Sequence, residues 1–314
     1  MSTEPADTAA DAAAAARAER APQAAPPPAE AGASDPCCQN CESPVAGPYC
    51  AQCGQRTGLR LPTMSDVMHD FVHSALHLDG RAWRTFRSLL LRPGELTNEF
   101  ISGRRQRYLP PFRLYLVVSL AFFALSALLP GAEAVRVDPA VGEALDAGSR
   151  CDIRIGAAGF ERLDALLAEA CRKLAADGGS RLGPTFLATA PKLMFLFLPL
   201  MAAVATLFYW RPRRLYVEHL VLFLHTHALV FLVLSLNAVF NALQVAGLPG
   251  AAVLGVAGAA LLLYVPYYVY RAMRVVYGDG RALTLVKFAT LGSIYFVLLG
   301  VTLLAGIVYS LLSL

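Results

Sequence analysis

The sequence has few charged residues for its length. Only 16% of its 314 residues are Asp, Glu, Lys or Arg, whereas 56% are hydrophobic. A typical soluble domain has about 25% charged residues and about 45–50% apolar ones. The shortage of charge therefore argues against an ordinary soluble protein and favours one that spans a membrane.

The first 36 residues lack nearly all large apolar side chains. They are rich in Ala, Pro, Glu and Asp, so they bury too little surface to offset the chain entropy lost on folding. This segment also lacks the pattern of a secretory signal, and its acidic residues are unlike those of a transit peptide. We expect residues 1–36 to be a disordered tail and the first hydrophobic helix to act as the insertion signal.

Several catalytic motifs are absent as well. The chain has no Gly-x-Ser-x-Gly elbow, no His-Glu-x-x-His helix and no Walker phosphate loop, which excludes the enzyme families that depend on those motifs. Other enzyme classes stay open, but we expect a non-enzymatic role.

Five segments are apolar and long enough to cross a membrane, which takes about 20 helical residues. Their residues are 112–129, 193–210, 217–245, 251–273 and 288–313. Pro199 and Pro266 lie inside the second and fourth segments and should bend them. The sequence thus predicts an all-α integral membrane bundle of five transmembrane helices within residues 112–314.

Basic residues cluster at one end of these predicted spans. Eight arginines lie in residues 81–113, three in the turn 211–214, and four basic residues in the link 271–287. Lys and Arg are enriched in cytoplasmic flanks of membrane helices. We therefore place the N-terminus in the cytosol, and the C-terminus and the loop 131–191 on the opposite side.

Four cysteines near the N-terminus form two Cys-x-x-Cys pairs, and they are Cys38, Cys41, Cys50 and Cys53. Two such pairs can place four thiolates in a tetrahedron around one ion, for which zinc is a more usual occupant than iron. We predict a zinc ribbon over residues 37–60 with a structural Zn²⁺, because four ligands leave no open position for catalysis. Cys37 could replace Cys38 as a ligand, and unpaired thiols or a redox pair are the alternatives.

The predicted ribbon carries little positive charge, since Arg56 and Arg60 lie only at its end. Sequence-independent binding to nucleic acid needs several phosphate contacts. We therefore expect a docking surface or a rigid cap rather than a nucleic-acid site, and we favour a ribbon that docks a cytosolic protein partner.

Residues 61–111, between the ribbon and the first span, have amphipathic helical patterns. In residues 63–78, apolar side chains follow one stripe, and a second stripe contains His69, His73 and His77. These imidazoles could bind a metal or sense pH, or they could simply form a solvated face. In residues 81–96, arginines alternate with aromatic and aliphatic side chains, which suits a helix lying on anionic lipid.

The cysteine segment ends in CGQR, and residues 89–116 read LLLRPGELTNEFISGRRQRYLPPFRLYL. Together they resemble a bacterial membrane family known as domain of unknown function 3667, which pairs a zinc ribbon with a Pro-Gly turn, a Gly-Arg stretch and a first span. YVEHLVLFLHTH at residues 216–227 is also similar to that family. The resemblance covers about residues 38–310 apart from the outer loop. It implies a fold and a location in the bacterial inner membrane, but no activity.

The third predicted span contains four ionisable side chains, namely Glu218, His219, His225 and His227. Such residues are costly inside a membrane and suggest a functional role. One helix cannot direct all three imidazoles at one ion, because successive residues are rotated by about 100°. The alternatives are pairing of Glu218 and His219 with nearby arginines at the interface, and hydrogen bonds from the deeper histidines to other helices.

Two further cysteines, Cys151 and Cys171, fall in the predicted outer loop. Because the periplasm is oxidising, we predict a disulfide between them, although two separate buried thiols are the alternative.

These features together predict a bacterial inner-membrane protein that acts as an adaptor or regulator, with a cytosolic zinc ribbon that docks a partner. The alternative is a small transporter or channel component that uses the polar residues of the third span.

Overall fold

The computed structural model describes residues 37–57, 80–129, 182–210, 214–247 and 250–313, together with seven helical residues between 162 and 172. Three predictions lie outside the described residues: the tail over residues 1–36, the helix with three histidines at 63–78, and the disulfide between Cys151 and Cys171.

Seven helices make up most of the described chain, and we number them in order. They are α1 (Gly80–Leu91), α2 (Glu95–Ile101), α3 (Pro111–Leu128), α4 (Leu182–Phe208), α5 (Tyr216–Val245), α6 (Ala251–Tyr277) and α7 (Arg281–Ser313). Helices α3 to α7 are each long and apolar enough to cross a membrane. The described residues contain no strand, only two isolated β-bridges in the cysteine segment. The predicted all-α fold with five membrane-spanning helices is confirmed, and the chain is a multi-pass membrane protein.

Two of the spanning helices begin earlier than their hydropathy predicts. Helix α4 begins at Leu182, within the predicted outer loop, and α7 begins at Arg281 rather than at residue 288. Helix α4 continues through Pro199, and α6 through Pro266.

Helix α5 is the centre of the bundle. In its most apolar stretch 67% of the residues are buried, against 11% in α6 and in α7. Helix α5 packs against α3, α4 and α6, and α7 packs against α4 and α6. Helices α4 to α7 therefore form a ring, and α3 packs beside it. The core contains fully buried side chains from four helices, among them Leu114, Met201, Leu229 and Ala272.

Helices α1 and α2 form a short layer, which we call the platform, at the end of the bundle where α6 ends and α7 begins. Helix α1 packs on α5, and α2 packs on α5 and α6. Gly94 joins the two platform helices with φ of 81°, and a Cβ at this position would come within 3.0 Å of the Ala272 carbonyl oxygen. Only glycine therefore permits this close approach of the platform to α6. The Tyr264 hydroxyl of α6 also donates to the Leu90 carbonyl at 2.7 Å.

Helix α1 is amphipathic, as its sequence predicts. It buries Ala82, Thr85, Ser88 and Leu89, whereas Trp83 is 77% exposed and Arg84 and Arg87 are also exposed. The described basic residues of the three sequence clusters lie at the platform end, which we call the basic end.

Candidate metal centre and polar links to the bundle

The four predicted cysteine ligands lie together in a compact cluster. All four sulfur atoms are within 4.8 Å of one another. The Cys38 and Cys53 sulfurs are 3.6 Å apart, and those of Cys41 and Cys50 are 3.5 Å apart. In a tetrahedral zinc site with Zn–S bonds of about 2.3 Å, sulfurs are about 3.8 Å apart. The donor set and its spacing therefore fit a four-thiolate metal ion, and the exposed Cys37 lies outside the cluster.

The two Cys-x-x-Cys turns have matching backbones. The Glu42 N–H donates to the Cys38 carbonyl at 2.8 Å, and the Gly54 N–H donates to the Cys50 carbonyl at 2.9 Å. Both donors have positive φ, 62° at Glu42 and 71° at Gly54. Glycine adopts this conformation freely, whereas glutamate adopts it at a cost. The two turns thus present their paired sulfurs in the same way.

The thiols of the cluster differ in acidity. Hydrogen bonds with Ser43 lower the pKa of Cys41 to about 6, whereas burial raises the pKa of Cys53 to about 11. A bound cation would favour the thiolate form of every ligand. A bound cation would therefore convert the four thiols of the cluster into thiolate ligands.

A single glutamine connects the cysteine segment to the platform. The Gln55 side chain is buried, with 3% exposure. Its Nε2 donates to the Gly103 carbonyl at 2.8 Å, and its Oε1 accepts from the Arg105 N–H at 3.1 Å. The backbone carbonyl of Gln55 meanwhile accepts from the Cys50 N–H at 2.8 Å. Gln55 therefore belongs both to the second cysteine turn and to the contact with the α2–α3 connection.

The first cysteine turn also covers this connection. Gly103 is buried with φ of 82°, and a Cβ here would overlap the side chain of Gln39. Contacts within the platform hold the rest of the connection. The Arg104 guanidinium donates two hydrogen bonds to Glu99, at 2.5 and 2.8 Å, and the Leu109 N–H donates to the Thr85 hydroxyl at 3.0 Å.

His225 joins the central helix to the platform. Its Nδ1 lies 2.9 Å from the Thr97 hydroxyl of α2, and both side chains are buried. The ring also borders a small cavity with Arg104, Arg105 and Tyr108, with room for about one water molecule. Sequence analysis did not find Thr97, because the two residues are 128 positions apart.

His227 joins α5 to α7 across the ring of helices. Its Nδ1 is 2.8 Å from the Phe223 carbonyl oxygen, and its Nε2 is 3.1 Å from the Tyr295 hydroxyl. A carbonyl oxygen can only accept, so Nδ1 carries a proton, and in the neutral ring Nε2 accepts from Tyr295.

Glu218 and His219 lie at the basic end. Glu218 forms an ion pair with Arg214 at 3.2 Å, which is the interface pairing that the sequence left open as an alternative. The Nδ1 of His219 lies 2.6 Å from the Tyr277 hydroxyl at the end of α6. Arg214 also donates to the Tyr277 carbonyl at 3.4 Å.

Further polar residues surround His219, and sequence analysis did not connect them with it. The ring of Tyr209 stacks on Tyr277 with centroids 3.8 Å apart. Lys287 lies 3.9 Å above the Tyr209 ring and pairs with Asp279 at 2.8 Å. The Tyr209 hydroxyl and the His219 Nε2 are buried and have no hydrogen-bond partner among the described residues. Buried polar atoms of this kind often mark a site for water, an ion or chemistry.

The four ionisable residues of the third span therefore occupy three separate surroundings, one of them shared by Glu218 and His219. Within the described part of the chain, the cysteine cluster is the one group of three or more His, Cys, Asp or Glu residues placed to hold a metal ion. The histidines serve instead as links between helices.

The fold and the cysteine cluster define a multi-pass membrane protein with a candidate metal centre near its N-terminus. Residues 79–123 match the model of a family described as "Protein of unknown function (DUF3667)". The match spans the platform, the α2–α3 connection and most of α3, which is narrower than the resemblance predicted from the sequence. No curated protein and no solved structure matches the chain.

Proposed function

We propose that the protein is a non-enzymatic adaptor or regulator in the bacterial inner membrane, whose zinc-loaded ribbon docks a protein partner in the cytosol. The main support is the buried contact of Gln55 with the α2–α3 connection, through which the ribbon is held on the platform. A module held in one orientation loses less conformational entropy when a partner binds.

The ribbon has an exposed surface suited to protein docking. Residues 46–49, between the two cysteine pairs, are all exposed, and Tyr49 is 62% exposed. This stretch carries no charge, and tyrosine is enriched among residues that dominate the energy of protein interfaces. We infer that Tyr49 is an anchor for the partner.

The basic end suits the cytosolic face of a membrane, because Lys and Arg favour that side. In the cytosol the cysteines stay reduced and are free to bind zinc. The arginines and Trp83 on the outer face of α1 suit contact with anionic lipid headgroups.

The orientation has a direct test in intact cells. Cys37 is the exposed thiol outside the cluster, so it serves as the reporter. A membrane-impermeant thiol reagent should label it only after the inner membrane is permeabilised. Labelling of Cys37 in intact spheroplasts would overturn the cytosolic placement.

The docking proposal is tested with the full-length protein and two matched ribbon variants. Partners captured from solubilised membranes by the wild-type chain should be lost with Tyr49→Ala and kept with Gln52→Ala, which alters another exposed ribbon residue. Capture that is the same for both variants would reject docking at Tyr49.

The unpartnered atoms of Tyr209 and His219 favour a second candidate function, a small transporter or channel component. Groups that exchange protons next to buried ion pairs could pass protons or a polar substrate. Proteoliposomes loaded with a pH-sensitive dye should then show a proton flux that His219→Leu abolishes. A proton flux equal to that of protein-free liposomes would reject proton transport by this protein.

A further inference from the structure

We propose that a metal ion in the cysteine cluster controls the α2–α3 connection through Gln55, which acts as a latch. A thiophilic divalent cation such as Zn²⁺ would hold the second cysteine turn, the turn would hold Gln55, and Gln55 would hold Gly103 and Arg105. The latch stands whether or not a partner docks on the ribbon.

The first step links the metal centre to the backbone of Gln55. Within residues 37–57 the buried side chains are Cys38, Cys50 and Gln55, so this segment has no apolar core of its own. The hydrogen bond from the Cys50 N–H to the Gln55 carbonyl spans the turn that Cys50 and Cys53 would close around a cation. A segment without a core depends on its metal for structure. Removing the cation therefore releases the backbone of Gln55.

The second step links the Gln55 side chain to the connection. Its amide satisfies one acceptor and one donor of the platform backbone, the Gly103 carbonyl and the Arg105 N–H. Gly103 is also the position that the end of the Gln39 side chain covers. When the ribbon detaches from the platform, the Gly103 carbonyl and the Arg105 N–H lose their hydrogen-bond partner, and the middle of the connection becomes accessible to water.

The third step limits how far the change extends. Arg104 stays paired with Glu99, and Leu109 stays bonded to Thr85, because neither contact involves the ribbon. Helix α2 also stays linked to α5 through Thr97. The amides of Gly103 and Arg104 likewise keep their bonds to the Phe100 and Glu99 carbonyls. Loss of the metal should therefore expose the Arg105 amide and leave residues 95–101 unchanged.

Hydrogen–deuterium exchange of the full-length protein in nanodiscs measures the latch directly, because the Arg105 amide is one of its donors. In the zinc-loaded protein we expect the Arg105 amide to be protected. Chelation should speed its exchange by about tenfold, as expected for the loss of one hydrogen bond. Unchanged exchange of the Arg105 amide after chelation would overturn the proposal.

Three variants separate the latch from a general effect of the ribbon. Gln55→Ala should exchange quickly at Arg105 even while zinc stays bound, as checked by metal analysis. Gln52→Ala, in the same cysteine turn but exposed, should behave as the wild type. Gln55→Met keeps a side chain of similar length at this buried position but has no amide, and should also exchange quickly at Arg105 with zinc bound.

The result for Gln55→Met decides the case in which Gln55→Ala fails to hold zinc. A zinc-bound Gln55→Met protein with fast exchange at Arg105 supports the latch. A zinc-bound Gln55→Ala or Gln55→Met protein that stays protected at Arg105, and loses protection only on chelation, overturns it. These outcomes are independent of partner capture, so failure of the latch and failure of the docking proposal are distinguishable.

Discussion

The cysteine segment and the central helix bury their residues in contrasting ways. Residues 37–57 bury three side chains, two of them cysteines, whereas α5 buries thirteen residues, mostly apolar, along its 30 positions. Apolar burial stabilises a fold at about 25 cal/mol per Å², and the cysteine segment has little area to offer. We therefore expect the cysteine segment to depend on a cross-link by metal, whereas the bundle depends on packing.

The two regions also differ in the kind of group that their polar side chains contact. The ribbon meets the platform through backbone groups, at Gly103 and Arg105. The bundle instead uses side chains that reach between helices, as in His225 with Thr97 and His227 with Tyr295. We expect the ribbon to respond to chelators and the bundle to respond to changes in its buried side chains.

The largest expected effect is loss of the ribbon when one ligand is removed. Cys50→Ser should abolish metal binding, which in zinc-finger peptides contributes about 10–16 kcal/mol to folding. The measurement is the metal content of the purified full-length protein, with Cys37→Ser as the control outside the cluster. A Cys50→Ser protein with the wild-type metal content would contradict the expected role of the cysteine cluster as the metal site.

A smaller effect is expected at the link between platform and bundle. Thr97→Val leaves the buried His225 Nδ1 without its partner, which should lower the free energy of unfolding by about 1–3 kcal/mol. Thermal unfolding in detergent measures this change, and metal content should not alter.

Two controls sharpen this prediction. Thr290→Val removes an exposed hydroxyl that bonds only within its own helix, and should have little effect. The double variant Thr97→Val with His225→Leu should recover part of the loss, because no buried polar group is then unpaired. Equal effects of Thr97→Val and Thr290→Val would contradict the link.

Gly94 lies where the platform closely approaches α6. Gly94→Ala should therefore lower the free energy of unfolding by about 1–3 kcal/mol. Gly94→Ala introduces both a strained backbone and a clash with Ala272 and Val275, whereas Gly278→Ala introduces strain at φ of 72° in open space. The difference between the two melting temperatures isolates the clash. Equal destabilisation would show that packing against α6 does not restrict this position.

The smallest effect is expected at an exposed ion pair. Arg92 pairs with Glu95 at 2.8 Å, but its side chain is 63% exposed, so Arg92→Ala should change stability by no more than about 0.5 kcal/mol. Lys287→Met should cost more, because Lys287 and Asp279 are each only 13% exposed. Thermal unfolding at low and high salt compares the stability of the two variants. A larger loss of stability for Arg92→Ala than for Lys287→Met would contradict this prediction.

Local patterns in the sequence were sufficient for part of this structure. The length and hydropathy of contiguous segments predicted all five spanning helices, and the Cys-x-x-Cys spacing predicted the four clustered thiols. Helix starts were less predictable, since the polar first turn of α7 at Arg281 continues a helix beyond its apolar stretch. The choice between Cys37 and Cys38 was also open, because adjacent residues fit the same spacing until the turn places one sulfur inside the cluster.

The sequence by itself determined which segments cross the membrane and which thiols can share an ion, because both follow from neighbouring residues. Tertiary structure alone decided the partners of the polar groups. Gln55 reaches a loop 48 positions away at Gly103, and His219 meets a tyrosine 58 positions away. Such contacts depend on how each helix is rotated and how closely it approaches its neighbours, and no short sequence pattern records either quantity.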